Sequence, residues 1–195
     1  MIAYLNGKLA LKTPTLVHLD VNGVGYEVHI SLHTWSQIQG MDNCKLLTYV
    51  HIKEDAHTMF GFFSDAERTV FLQLISVSGV GAATARVMLS SLQPEDVQRA
   101  ILMENEKMLE GVKGIGAKTA KRIILELKDK MKKHREDVVH LSLNTHNTIQ
   151  DDALNALVTL GIARNVAEQA IQRVLKTEPQ LNELEALIKK SLKNL

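Results

Sequence analysis

Hydrophobic and polar residues alternate with a period of two through the first third of the chain, which is typical of β-strands with one buried face. Asn22-Gly23 predicts a tight turn between the second and third strands, and residues 31–38 predict a short helical connection between the third and fourth. This order predicts an OB-fold barrel over residues 1–63, with an SH3-like barrel as the competing interpretation. The five predicted strands are residues 2–9, 16–21, 26–30, 45–53 and 58–63.

From residue 64 to residue 133 the apolar residues recur at helical spacing. Ser64 and Glu67 have the spacing of a capping box and predict the start of a helix. Pro94 predicts another helix start, because its fixed φ suits the first helical position. The segment predicts a compact helical domain of two related halves. Its predicted helices begin at residue 64 and occupy residues 82–90, 97–103 and 105–109, with a longer one ending near Met131.

The periodicity is lost in residues 134–148, which are rich in His, Asn, Thr and Ser and predict a flexible linker. Asp151-Asp152 then predicts the cap of a helix that stops at Gly161, followed by helices at residues 165–176 and from residue 181 onward. Three short helices predict a small UBA-like domain over residues 149–195, suited to docking a partner. The predicted fold class is therefore α+β.

Two segments of the helical domain are near copies of each other. Val77-Ser-Gly-Val-Gly-Ala-Ala-Thr-Ala85 aligns with Val112-Lys-Gly-Ile-Gly-Ala-Lys-Thr-Ala120. In each copy an apolar residue between two glycines can plug the gap between helices and leave backbone N–H groups pointing outward. Such a cluster of donors at a helix start suits an anion.

Lys118, Lys121 and Arg122 stand on the first turns of the helix that the second copy enters, where acidic residues would complement the helix dipole. Cations at this end of the helix are explained if a bound phosphate supplies the negative charge. The surrounding residues 113–133 are also basic, with eight basic against two acidic side chains. The two copies therefore predict a phosphate-binding surface. Its predicted residues are Gly79, Val80, Gly81, Thr84, Arg86, Gly114, Ile115, Gly116, Lys118, Thr119, Lys121 and Arg122.

The nucleotide-binding motifs are not matched. Gly111 and Gly116 have P-loop spacing, but Ala117 separates the second glycine from Lys118 and no strand precedes the motif. The only cysteine, Cys44, excludes an internal disulfide and a cysteine-based zinc site. The sequence therefore predicts neither a cofactor nor a metal site. It also contains no apolar run long enough to span a membrane and no signal peptide at its start, so a cytoplasmic location is expected.

Glu54-Asp55 lies at the predicted turn between the last two strands. By residue type alone, two adjacent acids there indicate a solvated hairpin tip. They are also the candidate metal ligands of a nuclease, although no further carboxylate or histidine stands at a supporting spacing.

With the barrel, the duplicated hairpin and the tethered helical tail in this order, the whole chain resembles the RuvA family, the bacterial Holliday junction-binding subunits of the branch migration complex. The matching segments are Met1-Ile2, Gly23–His29, Glu54–Ala56, Phe60–Phe62, Glu67–Thr69, Gly79–Gly81, Gly114–Ala120 and Leu160-Gly161.

The resemblance implies a non-catalytic, four-fold homotetramer, or an octamer on DNA, with a concave basic face for an open, square-planar four-way junction. It implies that Glu54 and Asp55 are acidic pins at the centre of that face. The implied partners are junction DNA, the RuvB hexameric ATPase and the RuvC resolvase, in recombination and DNA repair. The tail residues implied to bind RuvB are Leu154, Leu157, Leu160, Gly161 and Ile162.

The first hairpin departs from the family pattern, because Ala82-Ala83 stands where Pro-Lys is usual. Arg86, one turn further on, is the candidate replacement for that cation. Three other functions remain open: a junction nuclease using Glu54 and Asp55, a helix-hairpin-helix glycosylase using Lys118, and a plain duplex-binding scaffold.

Overall fold

The computed structural model describes residues 1–143, 149–178, 181 and 183–195, and the side chains of these residues outside 132–143. The chain divides into two compact units, Met1–Lys133 and His134–Leu195. The first unit contains the barrel and both glycine-rich turns, and the second contains the three helices of the tail.

The first unit begins with a closed five-stranded barrel of strand order β1-β2-β3-β5-β4, in which β1 also pairs with β4. The neighbouring strands are antiparallel except for β3 and β5, which are parallel. A helix, α1 (Leu32–Ile38), connects β3 to β4. This arrangement confirms the predicted OB-like barrel. The strands are β1 (Tyr4–Lys12), β2 (Leu16–Val21), β3 (Val24–His29), β4 (Asn43–Ile52) and β5 (His57–Phe62).

Alternate residues of the strands fill the barrel, including Leu5, Val17, Leu19, Val28 and Leu46, each at most 6% exposed. This is the face that the period-two pattern predicts. The predicted turn at Asn22-Gly23 forms with positive φ at both residues, 54° and 86°. Positive φ at both central residues is the geometry that favours Asn-Gly in a two-residue hairpin.

Five helices follow: α2 (Asp65–Ile75), α3 (Ala82–Ser91), α4 (Pro94–Leu102), α5 (Glu106–Glu110) and α6 (Ala117–Leu143). Their shared core continues into the barrel, because the Phe71 ring of α2 packs on Phe60 and Phe62 of β5, with centroids 5.3 and 4.8 Å apart. The helical core therefore extends onto β5, while the interior of the barrel is a separate apolar cluster that includes Leu5, Leu19 and Leu46.

The structure differs from the sequence prediction at the end of α6. This helix continues to Leu143, so residues 134–143 of the predicted linker are helical, and residues 144–148 lie outside the described residues. Hydrophobic periodicity is lost after residue 133, but no Gly or Pro occurs between 134 and 143 to stop a helix. The loss of hydrophobic periodicity therefore did not mark the end of the helix.

The second unit contains α7 (Ile149–Thr159), α8 (Arg164–Thr177) and α9 (Leu184–Lys193). Gly161 has φ 91°, and the Ile162 N–H donates to the Leu157 carbonyl at 3.1 Å, so the chain leaves α7 at the predicted glycine. Asp151 and Asp152 lie in the first turn of α7 instead of capping it, because the helix already begins at Ile149. There their charges still complement the helix dipole.

A buried carboxylate joins α2 to the barrel. Glu67 is 0% exposed; Ser31 Oγ donates to its Oε1, and Thr34 Oγ1 donates to its Oε2 at 2.5 Å. Only half of the predicted capping box forms. Ser64 Oγ accepts from the Glu67 N–H at 3.2 Å, but the Glu67 side chain turns to α1 and does not return to Ser64. The Glu67 carboxylate accepts hydrogen bonds from the buried Ser31 and Thr34 hydroxyls. In a full capping box it would accept from the backbone N–H of Ser64 instead.

Burial raises the pKa of Glu67, because the charged form loses its hydration. The hydrogen bonds from Ser31 and Thr34, the charge of His33 and the Phe63 N–H act in the opposite direction. The net direction is upward. The carboxyl therefore stabilises the fold most fully below its ordinary pKa of 4.5, and this contribution declines as the pH rises through the raised pKa.

We expect Glu67→Ala to lower the free energy of unfolding by about 1–3 kcal/mol, because two buried hydroxyl donors lose their acceptor. Because the folded pKa is raised, the loss should be larger near pH 4.5 than near pH 8. Urea unfolding at both pH values measures it, with Glu110→Ala on exposed α5 as the control. An equal loss at both pH values would contradict the assigned direction.

Candidate nucleic-acid interface

The two duplicated segments form turns with the same backbone geometry. Gly79 between α2 and α3 has φ 92°, and Gly114 between α5 and α6 has φ 93°. The Val80 N–H donates to the Val77 carbonyl at 3.0 Å, and the corresponding Ile115 N–H donates to Val112, also at 3.0 Å. The sequence repeat is therefore also a structural repeat.

The apolar residue of each turn points inward, as predicted. Val80 and Ile115 are each 5% exposed and belong to the shared core. The following helix starts without a side-chain cap at Gly81, so the first N–H groups of α3 have neither an intrahelical acceptor nor a capping oxygen. Each turn thus presents backbone donors at a helix start, the arrangement that binds phosphate and other anions.

The glycines of each turn serve two different purposes. Gly79 and Gly114 adopt positive φ, a conformation that strains other residues. Gly81 does not, with φ −84° and ψ 166°, and a Cβ placed at Gly81 or Gly116 would meet no heavy atom within 4 Å. The fold itself therefore does not require glycine at Gly81 or Gly116. Because neither residue has a side chain, an external group can approach the backbone closely there.

Three cations surround the second turn. Lys118 is exposed and forms no ion pair in the part of the chain that the structure describes. Lys121 Nζ lies 3.8 Å from Glu106 Oε2, and Arg122 Nε lies 2.8 Å from Glu126 Oε1. Both pairs are on the surface, where ion pairs contribute little, so these cations remain available to a bound anion.

Thr84 and Thr119 occupy the same half-buried position on α3 and α6. Arg86, in contrast, is turned toward the barrel. Its NH1 donates to the Thr15 carbonyl at 3.2 Å and lies 3.1 Å from His29 Nδ1. The contact of Arg86 with phosphate therefore stays a prediction. In the structure, the Arg86 guanidinium has hydrogen-bond partners within the protein.

The surroundings of His29 favour the neutral form of its ring. Burial lowers its pKa, the Arg86 charge lowers it further, and Glu27 acts in the opposite direction. A neutral ring leaves Nδ1 as an acceptor for the Arg86 guanidinium, which anchors α3 on β3.

Glu54 and Asp55 are exposed at the tip of the turn between β4 and β5, which the Lys53 N–H closes by donating to the Ala56 carbonyl at 2.9 Å. Neither carboxylate is paired with a cation among the described residues. Within the same residues no group of three or more His, Cys, Asp or Glu side chains is arranged to hold a metal ion. The tip is therefore a pair of free negative charges on a hairpin.

The predicted partner-binding residues are divided between the interior and the surface of the second unit. Leu157 is 0% exposed within its core, and Leu154 and Ile162 pack partly against that core. Of the three predicted leucines, Leu160 alone is largely exposed, at 64%. The Leu160 side chain is therefore accessible on the surface of the second unit, whereas the Leu157 side chain is not.

The sequence prediction did not include two further exposed apolar residues of this region. Val158 lies in the last turn of α7 and Val166 in the first turn of α8, and each is 42% exposed. The predicted leucines Leu154, Leu157 and Leu160 include two that pack inward, and neither valine was among the predicted residues. We name Val158, Leu160 and Val166 the α7–α8 apolar surface.

Three family models match the chain in order: the RuvA N terminal domain over residues 1–61, the SAM-like helix-hairpin-helix tandem over residues 71–129, and the RuvA C-terminal domain over residues 148–195. A protein of Cytophaga hutchinsonii is 49% identical over 197 aligned residues, covering 99% of each chain. Proteins of Christiangramia forsetii and Flavobacterium psychrophilum are 47% and 45% identical, with 100% of each chain covered. All three are named Holliday junction branch migration complex subunit RuvA. The chain belongs to the RuvA family.

Membership in the RuvA family confirms the resemblance and the order of an OB-like barrel, helix-hairpin-helix domain and C-terminal helical domain. The helix-hairpin-helix match covers both glycine-rich turns. The boundaries drawn at residues 63, 133 and 148 stay predictions, as do the roles of individual residues. Among the described residues no helix is long and apolar enough to cross a membrane.

The two classes of glycine should respond differently to substitution. We expect Gly114→Ala to lower the free energy of unfolding by about 1–2 kcal/mol, because alanine is strained at positive φ. Gly116→Ala should change it by less than about 0.5 kcal/mol, because its Cβ enters open space. Urea unfolding measures both, and Gly79→Ala with Gly81→Ala repeats the comparison in the first turn. Equal losses within either pair would contradict this division.

Proposed function

We propose that this RuvA family protein binds four-way DNA junctions through phosphate contacts at its two hairpins, without recognising base sequence. The observation that carries the proposal is the pair of matching turns, each with uncapped backbone donors beside an open glycine, in a chain whose relatives are named Holliday junction subunits. Backbone N–H groups and lysines recognise phosphate oxygens, which are the same in every sequence. The chain acts as a non-catalytic subunit.

The proposed junction is open and square-planar and lies on a four-fold homotetramer, or between two tetramers of an octamer. Four copies of Glu54 and Asp55 then meet at the centre, where the DNA strands cross. Their unpaired charges repel phosphates there, which favours separated strands and penalises a continuous duplex. An open junction on one face is also accessible to the RuvC resolvase, the further proposed partner.

The acidic tip provides the test of junction recognition. We expect the double variant Glu54→Gln and Asp55→Asn to bind duplex more tightly and to narrow the ratio of junction to duplex affinity. Each carboxylate near 4 Å from a phosphate costs about 1 kcal/mol in water-like surroundings. Paired titrations of both proteins on a four-way junction, a matched duplex and a single strand at one salt concentration measure the ratio.

If the ratio of junction to duplex affinity is the same in the double variant, Glu54 and Asp55 have no role in junction recognition and are only solvated residues of the turn. Equal wild-type affinity for junction and duplex would favour the plain duplex-binding scaffold. Cleavage of the junction with magnesium, lost in the double variant, would favour the nuclease. The matched control is Glu110→Gln, an exposed acid on a different element, α5.

The second unit is proposed to dock the RuvB ATPase through the α7–α8 apolar surface. A protein-binding surface requires accessible apolar side chains, and Val158, Leu160 and Val166 supply them at the end of α7 and the start of α8. Leu157 supports this surface from within the core and does not contact the partner itself.

We expect Leu160→Asp to abolish stimulation of the RuvB ATPase on junction DNA while junction affinity is unchanged, because a charge replaces the exposed apolar side chain. Leu184→Asp, at an exposed leucine that begins α9, is the control and should retain stimulation. ATPase rates with RuvB and junction titrations measure the two properties. Full stimulation by the Leu160→Asp protein would place the docking surface elsewhere.

A further inference from the structure

The two hairpins have the same backbone but different charge. Their aligned pairs are Ser78 with Lys113, Ala83 with Lys118, Arg86 with Lys121, and Val87 with Arg122. The first hairpin is neutral at three of these four positions, and the second hairpin is basic at all four. Ser78 and Ala83 are exposed, as are their lysine counterparts, so the charge difference lies on the surface that each turn presents.

The one cation of the first hairpin is bound to the barrel. Arg86 is the only charged residue between Ser76 and Ser91, and its NH1 is engaged by the Thr15 carbonyl and His29 Nδ1. The aligned Lys121 has a side chain 66% exposed and a 3.8 Å surface ion pair with Glu106. The same position therefore carries a structural cation in one hairpin and an available cation in the other.

We propose that the hairpins bind phosphate in two chemically different ways, an inference that rests on the proposed junction binding. The first hairpin binds with backbone N–H groups alone. The second binds with backbone N–H groups together with Lys113, Lys118 and the cations one turn further along α6. Arg86 fixes α3 to the barrel and does not bind phosphate.

This division has a measurable consequence, because only charged groups release counterions from DNA when they bind it. Each phosphate neutralised by a lysine or arginine changes the slope of log affinity against log salt by about 0.9. A neutral N–H group releases no counterion, so the first hairpin should add little to the slope. Nearly all of the salt dependence should then come from the second hairpin.

The experiment compares aligned residues of the two hairpins in the full-length protein. Dissociation constants for a four-way junction are measured at several salt concentrations for wild type, Arg86→Gln, Lys121→Gln, Lys118→Ala and Ala83→Lys. We expect Lys118→Ala and Lys121→Gln to make the slope shallower by about 0.9 for each phosphate that is no longer neutralised, and Arg86→Gln to leave it unchanged. Ala83→Lys should steepen the slope by about the same amount for each additional phosphate that the new lysine neutralises.

In thermal unfolding, the Gln variants of the aligned residues Arg86 and Lys121 should show the opposite pattern to their effects on the salt slope. Arg86→Gln should lower the melting temperature, because the guanidinium no longer binds the barrel, whereas Lys121→Gln should leave it unchanged. If Arg86→Gln makes the slope of log affinity against log salt as much shallower as Lys121→Gln does, the proposal is overturned. If the Arg86→Gln protein does not fold, Ala83→Lys decides, because residue 83 is exposed and lies outside the core.

An unchanged slope in the Ala83→Lys protein would show that the first hairpin does not approach a phosphate, and would also overturn the proposal. Failure of the proposed function has a separate signature. In that case wild-type affinity for the junction would be absent or insensitive to salt, before any variant is compared.

Discussion

The buried hydrogen bonds of Glu67 with Ser31 and Thr34 fix the helical segment on the barrel. They form a polar link inside an otherwise apolar boundary, where the Phe71 ring packs against Phe60 and Phe62. Apolar packing supplies most of the favourable energy of such a boundary but allows sliding, since it is not directional. Two hydroxyl donors on one carboxylate define a single relative position. The hairpins and the acidic tip belong to this one compact unit.

In the proposed function, the relative position of the two kinds of charge matters because they have opposite effects on DNA. Lys118 and its neighbours attract phosphate, while Glu54 and Asp55 repel it. The attraction alone would favour any duplex. Repulsion at a fixed distance from the attraction favours only those DNA shapes that place phosphates near the hairpins and away from the tip. In the proposed function, selection of the junction is a property of this spacing and not of base recognition.

The duplication shows that one backbone can be retained while its surface chemistry differs. Gly79 and Gly114 are required by positive φ, and Val80 and Ile115 are required by the core, so these positions are the same or equivalent in both copies. The exposed positions carry no such structural requirement. The first copy lacks the available cations of the second, and its single arginine joins α3 to the barrel.

Much of this protein was determined by the sequence on its own. Strand alternation, the Asn22-Gly23 turn and the two glycine-rich repeats predicted the barrel and hairpins, because each depends on local backbone preferences and on which faces are apolar. Periodicity did not predict the extent of α6, since a helix can continue beyond its last periodic residue where no Gly or Pro stops it. Only the tertiary structure decided that Glu67 binds α1, that Arg86 faces the barrel and that Leu157 is interior while Leu160 is exposed. These outcomes depend on contacts between segments that are distant in the sequence. Neither the spacing of residues nor their type shows which of several possible partners a side chain will contact.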